Sequence, residues 1–321
     1  MKSIKVKMNY VTAVSHLSGW LVDARLVGKA AVFSLGLETK VTVEEADRKG
    51  IIVEGLRGNV KAKGGKIVRA VAAKVLKKNR SKKGLRFSIA SAKKSIEGLG
   101  AEESIAAATA LATYGILARG QGSGMFEFQV DKTLRRQFVQ IKGRVIPTEE
   151  MIEDCLAAVP TLSFTRLAVS FYGGFVVADE KKRETLRRGE MEEKITCEIL
   201  PLKEKPLPAS SFTSETEIVW AEALKGNLYT ASNLNAILNC SNHQLLEKTK
   251  KQKGVISLSY SPPTLIVLHR KKTKKGKEEE TKKGGKIPIN NEPVRIQKKP
   301  KRILRIREFL ELKPEGEWKW I

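Results

Sequence analysis

Hydrophobic and polar residues alternate in some stretches of this chain and recur at every third or fourth position in others. The alternating stretches predict β-strands at residues 2–14, 30–45, 51–54, 85–90 and 195–200. Helical spacing predicts α-helices at residues 66–78, 148–158, 214–225 and 229–238. The alanine-rich stretch 104–117 has few polar residues and predicts a buried helix.

Three further stretches predict paired strands. Residues 125–130 and 138–146 are typical of a basic hairpin, and residues 167–177 predict two strands around Tyr172-Gly173-Gly174. Residues 254–268 predict a strand, a turn at Pro262-Pro263 and a second strand. The charged run 270–286 has almost no apolar residue and predicts a disordered linker, after which residues 303–312 regain apolar character and are expected to dock back.

The composition limits the class of protein. With 321 residues, 41% of them hydrophobic, the chain can bury a core of two domains, so disorder throughout is excluded. The formal net charge of +25 points first to nucleic acid and second to an anionic membrane surface, with a lysine-rich solvated surface as the alternative. No apolar run reaches the length of about 18 residues that spans a bilayer, and the first residues lack a signal-peptide core. We therefore expect a cytoplasmic protein without a membrane partner.

Cysteine and histidine are too scattered to indicate a metal site or a disulfide framework. Cys155, Cys197 and Cys240 are isolated, no Cys-x-x-Cys pair occurs, and the three histidines lie far apart. The sequence therefore predicts no bound metal.

The basic residues form four clusters, which are the candidate nucleic-acid contacts. They are Lys77, Lys78, Arg80, Lys82 and Lys83; Arg135, Arg136 and Arg144; Lys182, Arg183, Arg187 and Arg188; and Lys298, Lys299, Arg302 and Arg305. Long basic side chains suit the phosphate backbone of structured RNA, and no sequence-reading motif accompanies them. The clusters predict an RNA or ribonucleoprotein partner, such as the ribosome, bound by shape and charge. An acidic protein partner is the less favoured alternative.

Residues 98–106, GLGAEESIA, stand where a phosphate-binding loop would open a helix. Gly98, Leu99, Gly100 and Ser104 fit such a loop, because bare backbone amides can point at an anion. Glu102 and Glu103 do not fit it, since they place negative charge beside a phosphate unless a metal bridges them.

Several segments taken together resemble the archaeal shikimate kinases of the GHMP kinase family. They are residues 23–35 (DARLVGKAAVFSL), 98–106, 170–174 (SFYGG), 220–229 (WAEALKGNLY) and 234–238 (LNAIL). The resemblance covers about residues 10–269, with an insertion near 120–147. It implies an α+β, two-lobed GHMP-kinase-like fold, with a ribosomal S5 domain 2-like N-terminal half, an α/β C-terminal half and a basic C-terminal extension. The implied domains are residues 1–158, 159–269 and 270–321.

The chain departs from that family at the positions that carry its chemistry. The positions of the family's catalytic aspartate pair hold Thr165 and Arg166, and an arginine cannot act as a base at neutral pH. Glycines of the family's late loop are missing from residues 257–264, SLSYSPPT. Arg166 either contacts an anion or neutralises Glu102 or Glu103 in a buried pair. Lys29 is either an anion contact or a solvated lysine.

Phosphoryl transfer depends on positioning and on neutralising the phosphates, so losing these elements predicts a catalytically degenerate protein without a cofactor. The alternative is a divergent ATP-dependent shikimate kinase. It would use Mg-ATP to form shikimate 3-phosphate, with Asp154 or Asp179 as a displaced acid or with a metal held by Glu102 and Glu103.

Overall fold

The structure is a computed structural model that describes residues 10–54, 60–91, 97–118, 125–129, 135–192, 194–202, 213–270 and 287–296. The predicted strand at residues 2–9, the linker 271–286 and the segment 303–312 lie outside these residues. Within them the chain forms a seven-stranded, a four-stranded and a three-stranded sheet, with helices packed on the two larger ones.

The strands have the following bounds: β1 Tyr10–Ala24, β2 Lys29–Ala46, β3 Ile51–Glu54, β4 Gly84–Ser91, β5 Met125–Gln129, β6 Arg135–Ile141, β7 Arg144–Pro147, β8 Phe175–Asp179, β9 Glu184–Gly189, β10 Ile195–Pro201, β11 Val255–Ser261, β12 Thr264–Arg270, β13 Ile287–Pro288 and β14 Arg295–Ile296. The helices are α1 Val60–Lys78, α2 Ala101–Ala118, α3 Thr148–Ala158, α4 Phe164–Tyr172, α5 Thr213–Lys225, α6 Leu228–Asn239 and α7 His243–Lys250.

The first lobe is built on the long antiparallel pair β1–β2, around which the sheet runs in the order β14-β1-β2-β4-β3, with β8 and β9 added beside β2. Helices α1, α2 and α4 cover one face, and α3 packs on these helices. Helix α2 is buried along almost its whole length, as its run of alanines predicts, because small side chains let it approach both the sheet and α1. The core of this lobe includes Trp20, Phe87 and Tyr114.

The second lobe is the sheet β11-β12-β10-β13 with α5, α6 and α7. The later half of β1 reaches this lobe, where a Cβ on Gly19 would lie 3.0 Å from Phe33 and still nearer Ile266. A second core joins the lobes here, with Leu17, Phe33 and Trp220 among its buried side chains. Strand β1 therefore belongs to both lobes and fixes the position of the cleft between them.

Residues 287–296, which we call the strap, also join the two lobes. Its first residues form β13 against β10, and its last residues form β14 against β1. Between them, the Gly174 amide donates to the Asn290 carbonyl (2.9 Å) and the Val294 amide to the Phe171 carbonyl (3.1 Å). The division at residues 158 and 269 stays a prediction, since α4, β8 and β9 pack in the first lobe and the strap spans both.

The predicted strand pair at residues 167–177 is wrong in its first half, where the chain forms α4. Ser163 caps this helix by accepting from the Arg166 amide, and Phe164, Leu167 and Phe171 repeat on one buried face. Gly173, at φ +73°, then ends the helix and leads into β8. Because β-branched and aromatic residues crowd this stretch, its local composition favours a strand, but its cap and its packing favour a helix.

The insertion forms three strands, β5, β6 and β7, in place of the predicted hairpin. The extra strand arises because Lys142-Gly143 makes a tight turn in the middle of residues 138–146. The other predicted elements agree with the structure to within a few residues, apart from α1, which begins at Val60, and β1, which continues to Ala24. No helix in the described part of the chain is long and apolar enough to cross a membrane.

Candidate functional site

The loop before α2 holds the candidate phosphate-binding residues. Gly98 and Gly100 have φ values of +83° and +66°, which residues with a Cβ rarely adopt. The buried Leu99 accepts a hydrogen bond from the Ser18 amide through its carbonyl (2.9 Å), so β1 fixes the loop. Ser104 lies one turn into α2 and is fully buried.

The turn between β11 and β12 packs directly on this loop. The Ser261 hydroxyl donates to the Gly98 carbonyl (2.6 Å), and the Thr264 hydroxyl donates to the Glu97 carbonyl (2.9 Å). A Cβ on Gly98 would lie 2.9 Å from the Pro262 carbonyl carbon and still nearer the Ser261 and Pro262 carbonyl oxygens. The late turn therefore occupies the space in front of Gly98.

Arg166 extends from α4 into the remaining space. Its guanidinium donates to the Gly98 carbonyl and to the Ser261 hydroxyl (3.0 Å), and it stacks on the Trp20 ring at 4.2 Å from the centroid. Arg25 lies over the same ring at 4.7 Å and is held by Asp23. Burial lowers the pKa of Arg166, while the nearby charge of Glu103 acts in the opposite direction.

The carboxylates near the site bind the protein's own backbone. Glu103 accepts from the Ser163 amide (3.2 Å), and Glu180 accepts from the Ser163 hydroxyl (2.6 Å) and the Phe164 and Thr165 amides (2.9 and 3.1 Å). Glu180 thus caps the N-terminus of α4, which would otherwise attract an anion.

The predicted buried pair between Arg166 and Glu102 or Glu103 does not occur among the ion pairs of the described residues. Glu102 is half-exposed and faces Lys63 at 3.5 Å. Arg166 is bound mainly by a carbonyl, a hydroxyl and an aromatic ring, because Glu103 turns toward the N-terminus of α4 instead.

Four buried polar atoms in this region make no hydrogen bond within the described part of the chain. They are Ser18 Oγ, Ser104 Oγ, Thr165 Oγ1 and Arg166 Nε. A Cβ on Gly100 would lie 2.6 Å from Ser18 Oγ and 3.3 Å from Arg166 Cδ, so two of these side chains meet at Gly100. Unpartnered buried polar atoms are costly and call for an explanation such as water or a small ligand.

The other candidate residues of the cleft are engaged elsewhere. Lys29 pairs with Glu217 at 3.1 Å and lies over the Trp220 ring, so the anion that Lys29 contacts is the Glu217 carboxylate of the same chain. Asp154 is buried between Lys78 (2.7 Å) and the Tyr114 hydroxyl, and Asp179 accepts from the Lys182 amide (2.9 Å). Both aspartates are therefore engaged by other groups of the same chain.

Several of the basic candidates bind groups of the same chain. Lys78, Lys83, Arg144 and Arg183 pair with carboxylates, Arg187 donates to the Leu224 carbonyl, and Arg188 lies over the Tyr172 ring. Lys77, Arg80, Lys82 and Lys182 are exposed. The side chains of Arg135 and Arg136, and the whole of Lys298, Lys299, Arg302 and Arg305, lie outside the described residues.

Three contributors to the site are not among the candidate residues of the sequence. Trp20 contacts Arg166, and Glu180 caps the N-terminus of α4, across separations that a pattern of short period does not show. Arg25 contacts Asp23 and Trp20, which lie close to it in the sequence. Trp20 lies beyond the predicted strand at residues 2–14, so that prediction did not draw attention to it.

No family model matches this sequence, and no curated protein matches it. Solved structures do match. The homoserine kinase from Cytophaga hutchinsonii ATCC 33406 has a TM-score of 0.59 at 12% identity over 92% of this chain and 99% of that one. The mevalonate kinase from Methanococcus jannaschii has a TM-score of 0.52 at 13% identity, over 84% of this chain and 92% of that one. A phosphotransferase related to the CoA biosynthesis pathway has a TM-score of 0.58 at 15% identity, over 89% of this chain and 98% of that one.

The chain therefore has the two-lobed α+β fold of the GHMP kinases, with its helices and sheets in both lobes. That fold implies Mg-ATP, and the residues at the loop do not fit it. Arg166 and the late turn fill the space beside Gly98. The carboxylate of Glu103 would also face a bound phosphate.

Proposed function

We propose that this chain is a non-catalytic protein of the GHMP-kinase fold that binds RNA or a ribonucleoprotein, such as the ribosome, in the cytoplasm. The non-catalytic part rests on one observation: Arg166 stands where the family's acid is expected and is bonded to Gly98 of the phosphate loop. A guanidinium is protonated at neutral pH, so it cannot accept the proton of a hydroxyl substrate.

The RNA-binding part is supported by the charge. The chain carries a net charge of +25, and exposed basic residues such as Lys77, Arg80 and Lys82 extend from the end of α1. Neutralising phosphates with lysine and arginine releases counterions, so binding of this kind weakens steeply as salt rises. No sequence preference is expected, since the contacts are made to the backbone.

Two measurements on the same nucleic-acid-free preparation test the proposal. We expect calorimetric titration with Mg-ATP to give no heat of binding, and we expect anisotropy with a labelled structured RNA to give an affinity that falls at least tenfold between 0.1 and 0.3 M salt. Micromolar binding of Mg-ATP would contradict the non-catalytic part. Absence of RNA binding at 0.1 M salt would contradict the RNA-binding part.

A divergent shikimate kinase is the second candidate, and the unpartnered atoms around Gly100 favour it. Ser18 Oγ, Ser104 Oγ and Arg166 Nε are groups that could bind an oxyanion. This candidate predicts ATP-dependent formation of shikimate 3-phosphate, and it predicts that replacing Glu102 and Glu103 by serine changes the rate. A product assay by mass spectrometry that shows no turnover by the native chain would exclude it.

A further inference from the structure

The positive charge of the chain is concentrated in the segment that contains α1. Residues 55–96 include 14 lysines and arginines and no aspartate or glutamate. This segment of 42 residues therefore carries +14 of the net charge of +25 that belongs to the whole chain. It has no acidic side chain of its own, so its cations can be neutralised only by other segments or by a partner.

The basic residues of α1 lie on the face that is turned away from the core. The buried positions of the helix are Ile67, Val68, Val71, Ala72, Val75 and Leu76. The exposed positions alongside them recur every three or four residues and are Lys66, Arg69, Ala73 and Lys77. Lys74 is half-buried at the edge of the same face. We call Lys66, Arg69, Lys74 and Lys77 the α1 face.

The α1 face differs from its neighbours on the same helix in having no acidic partner. Before it, Lys63 faces Glu102 at 3.5 Å, and after it, Lys78 binds Glu150 at 2.8 Å. Within the part of the chain that the structure describes, no carboxylate forms an ion pair with a side chain of the α1 face. The cations at the two ends are therefore neutralised inside the protein, and the four between them are not.

The stability of the helix does not account for these charges. Like charges three or four residues apart repel each other on a helix, and Lys66 and Arg69 form one such pair. The helix dipole favours cations in the last turn, which explains Lys77. It does not explain Lys66 and Arg69, which lie in the first half and at the middle of α1. A partner that brings negative charge would relieve the repulsion.

The form of the α1 face indicates which kind of nucleic acid it fits. Its exposed residue without a charge is Ala73, so the face offers no aromatic ring on which an unpaired base could stack. From Lys66 to Lys77 it is about 17 Å long, and double-stranded nucleic acid presents on the order of ten phosphates over that length. A row of cations without aromatic side chains fits the backbone of a double helix better than a single strand.

We propose that the α1 face is the surface through which this protein binds RNA, and that its ligand is the phosphate backbone of double-helical segments. The proposal rests on the proposed function and deepens it by naming the surface and the form of the RNA. Ala70 and Ala73 lie between the charges, and their small side chains let the helix approach the backbone closely. Contacts to phosphates position a protein on a duplex without reading its bases.

Two variants that lose the same charge test where the RNA binds. The first removes three exposed charges from the α1 face and keeps side chains that favour a helix: Lys66→Gln, Arg69→Gln and Lys77→Gln. The matched control removes three exposed charges on or beside the last turn of α7, where the helix dipole accounts for cations: Lys248→Gln, Lys250→Gln and Lys253→Gln. We expect both melting temperatures to stay within about 3 °C of the native value, because all six positions are exposed.

Anisotropy with a labelled RNA duplex, measured at several salt concentrations, compares the three full-length proteins. We expect the α1-face variant to bind at least about 10-fold more weakly at 0.1 M salt, with a slope of log affinity against log salt that is smaller by about 2 to 3. The control should stay within about threefold of the native chain. The native chain should bind the duplex at least about fivefold more tightly than one of its separated strands.

Each of the other outcomes overturns the proposal. Equal losses in the two variants would show that net charge acts without a defined surface, and a larger loss in the control would move the surface to α7; the proposed function would stand in both cases. Absence of RNA binding by the native chain would remove the proposed function and the surface together. Equal affinity for duplex and single strand would remove the double-helical ligand. If polyglutamate displaced the labelled duplex as well as unlabelled duplex does, the α1 face would instead be assigned to an acidic protein.

Discussion

Replacing Gly98 by alanine tests whether the late turn fills the phosphate loop. Gly98 has φ +83°, so alanine costs about 1 kcal/mol in backbone strain. Its Cβ would also overlap the carbonyl groups of Ser261 and Pro262, which cannot rotate away as a side chain could. Moving the turn would weaken the bonds from Ser261 and Thr264, each contributing about 1 kcal/mol. We therefore expect Gly98→Ala to lower the free energy of unfolding by about 3–5 kcal/mol.

Gly143 provides a matched control, because it has φ +80° and a Cβ built there would have no heavy atom within 4 Å. We expect Gly143→Ala to cost about 1 kcal/mol from strain alone. Urea unfolding followed by circular dichroism and by tryptophan fluorescence gives both values. A cost for Gly98→Ala within about 1 kcal/mol of the control would show that the loop faces open space, and the argument for a filled site would be refuted.

Two further predictions concern stability and its pH dependence. Asp154→Ala should lower the free energy of unfolding, measured in urea, by about 3 kcal/mol, because Lys78 loses a buried partner and the Tyr114 hydroxyl loses its acceptor. Glu150→Ala, at a more exposed position, should lower it by about 1 kcal/mol. Equal costs for the two variants would contradict the argument from burial. His16 has its pKa lowered to about 4, chiefly by burial, so the stability that its neutral form provides is complete above pH 6.5 and falls by about 3 kcal/mol as pH falls to 4. His16→Leu should flatten that part of the pH profile, and an unchanged profile would show that other groups cause it.

Local patterns predicted most of the fold for identifiable reasons. The alternation in residues 30–45 is that of a strand with one buried face, which β2 has, and the alanines of residues 104–117 fit a helix packed on all sides, as α2 is. Helix α4 was predicted as a strand, since Val169 and Phe171 favour strands. Its helical conformation depends on the cap at Ser163 and on packing against α2.

The sequence indicated where the candidate site lies, but it did not show which groups the residues of the site bind. The glycine-containing loop at residues 98–100 was visible as part of the family's pattern, and Arg166 was visible as a departure from it. The bonds of Arg166 to Gly98 and Ser261 join positions 68 and 95 residues apart, and the cap formed by Glu180 depends on where β8 ends. Such contacts depend on the tertiary arrangement, which no local spacing encodes.

The strap limits how the two lobes can move apart. Enzymes of two lobes commonly admit and release ligands by rotation about a hinge. Here the chain passes from the first lobe to the second between β9 and β10 and returns through residues 287–296, bonding to both sheets on the way. A rotation that widened the cleft would have to pull β13 from β10 or β14 from β1. A chain cut after residue 270 would release that restraint and leave the edges of β1 and β10 without their partners, so opening and loss of order would begin at the same place.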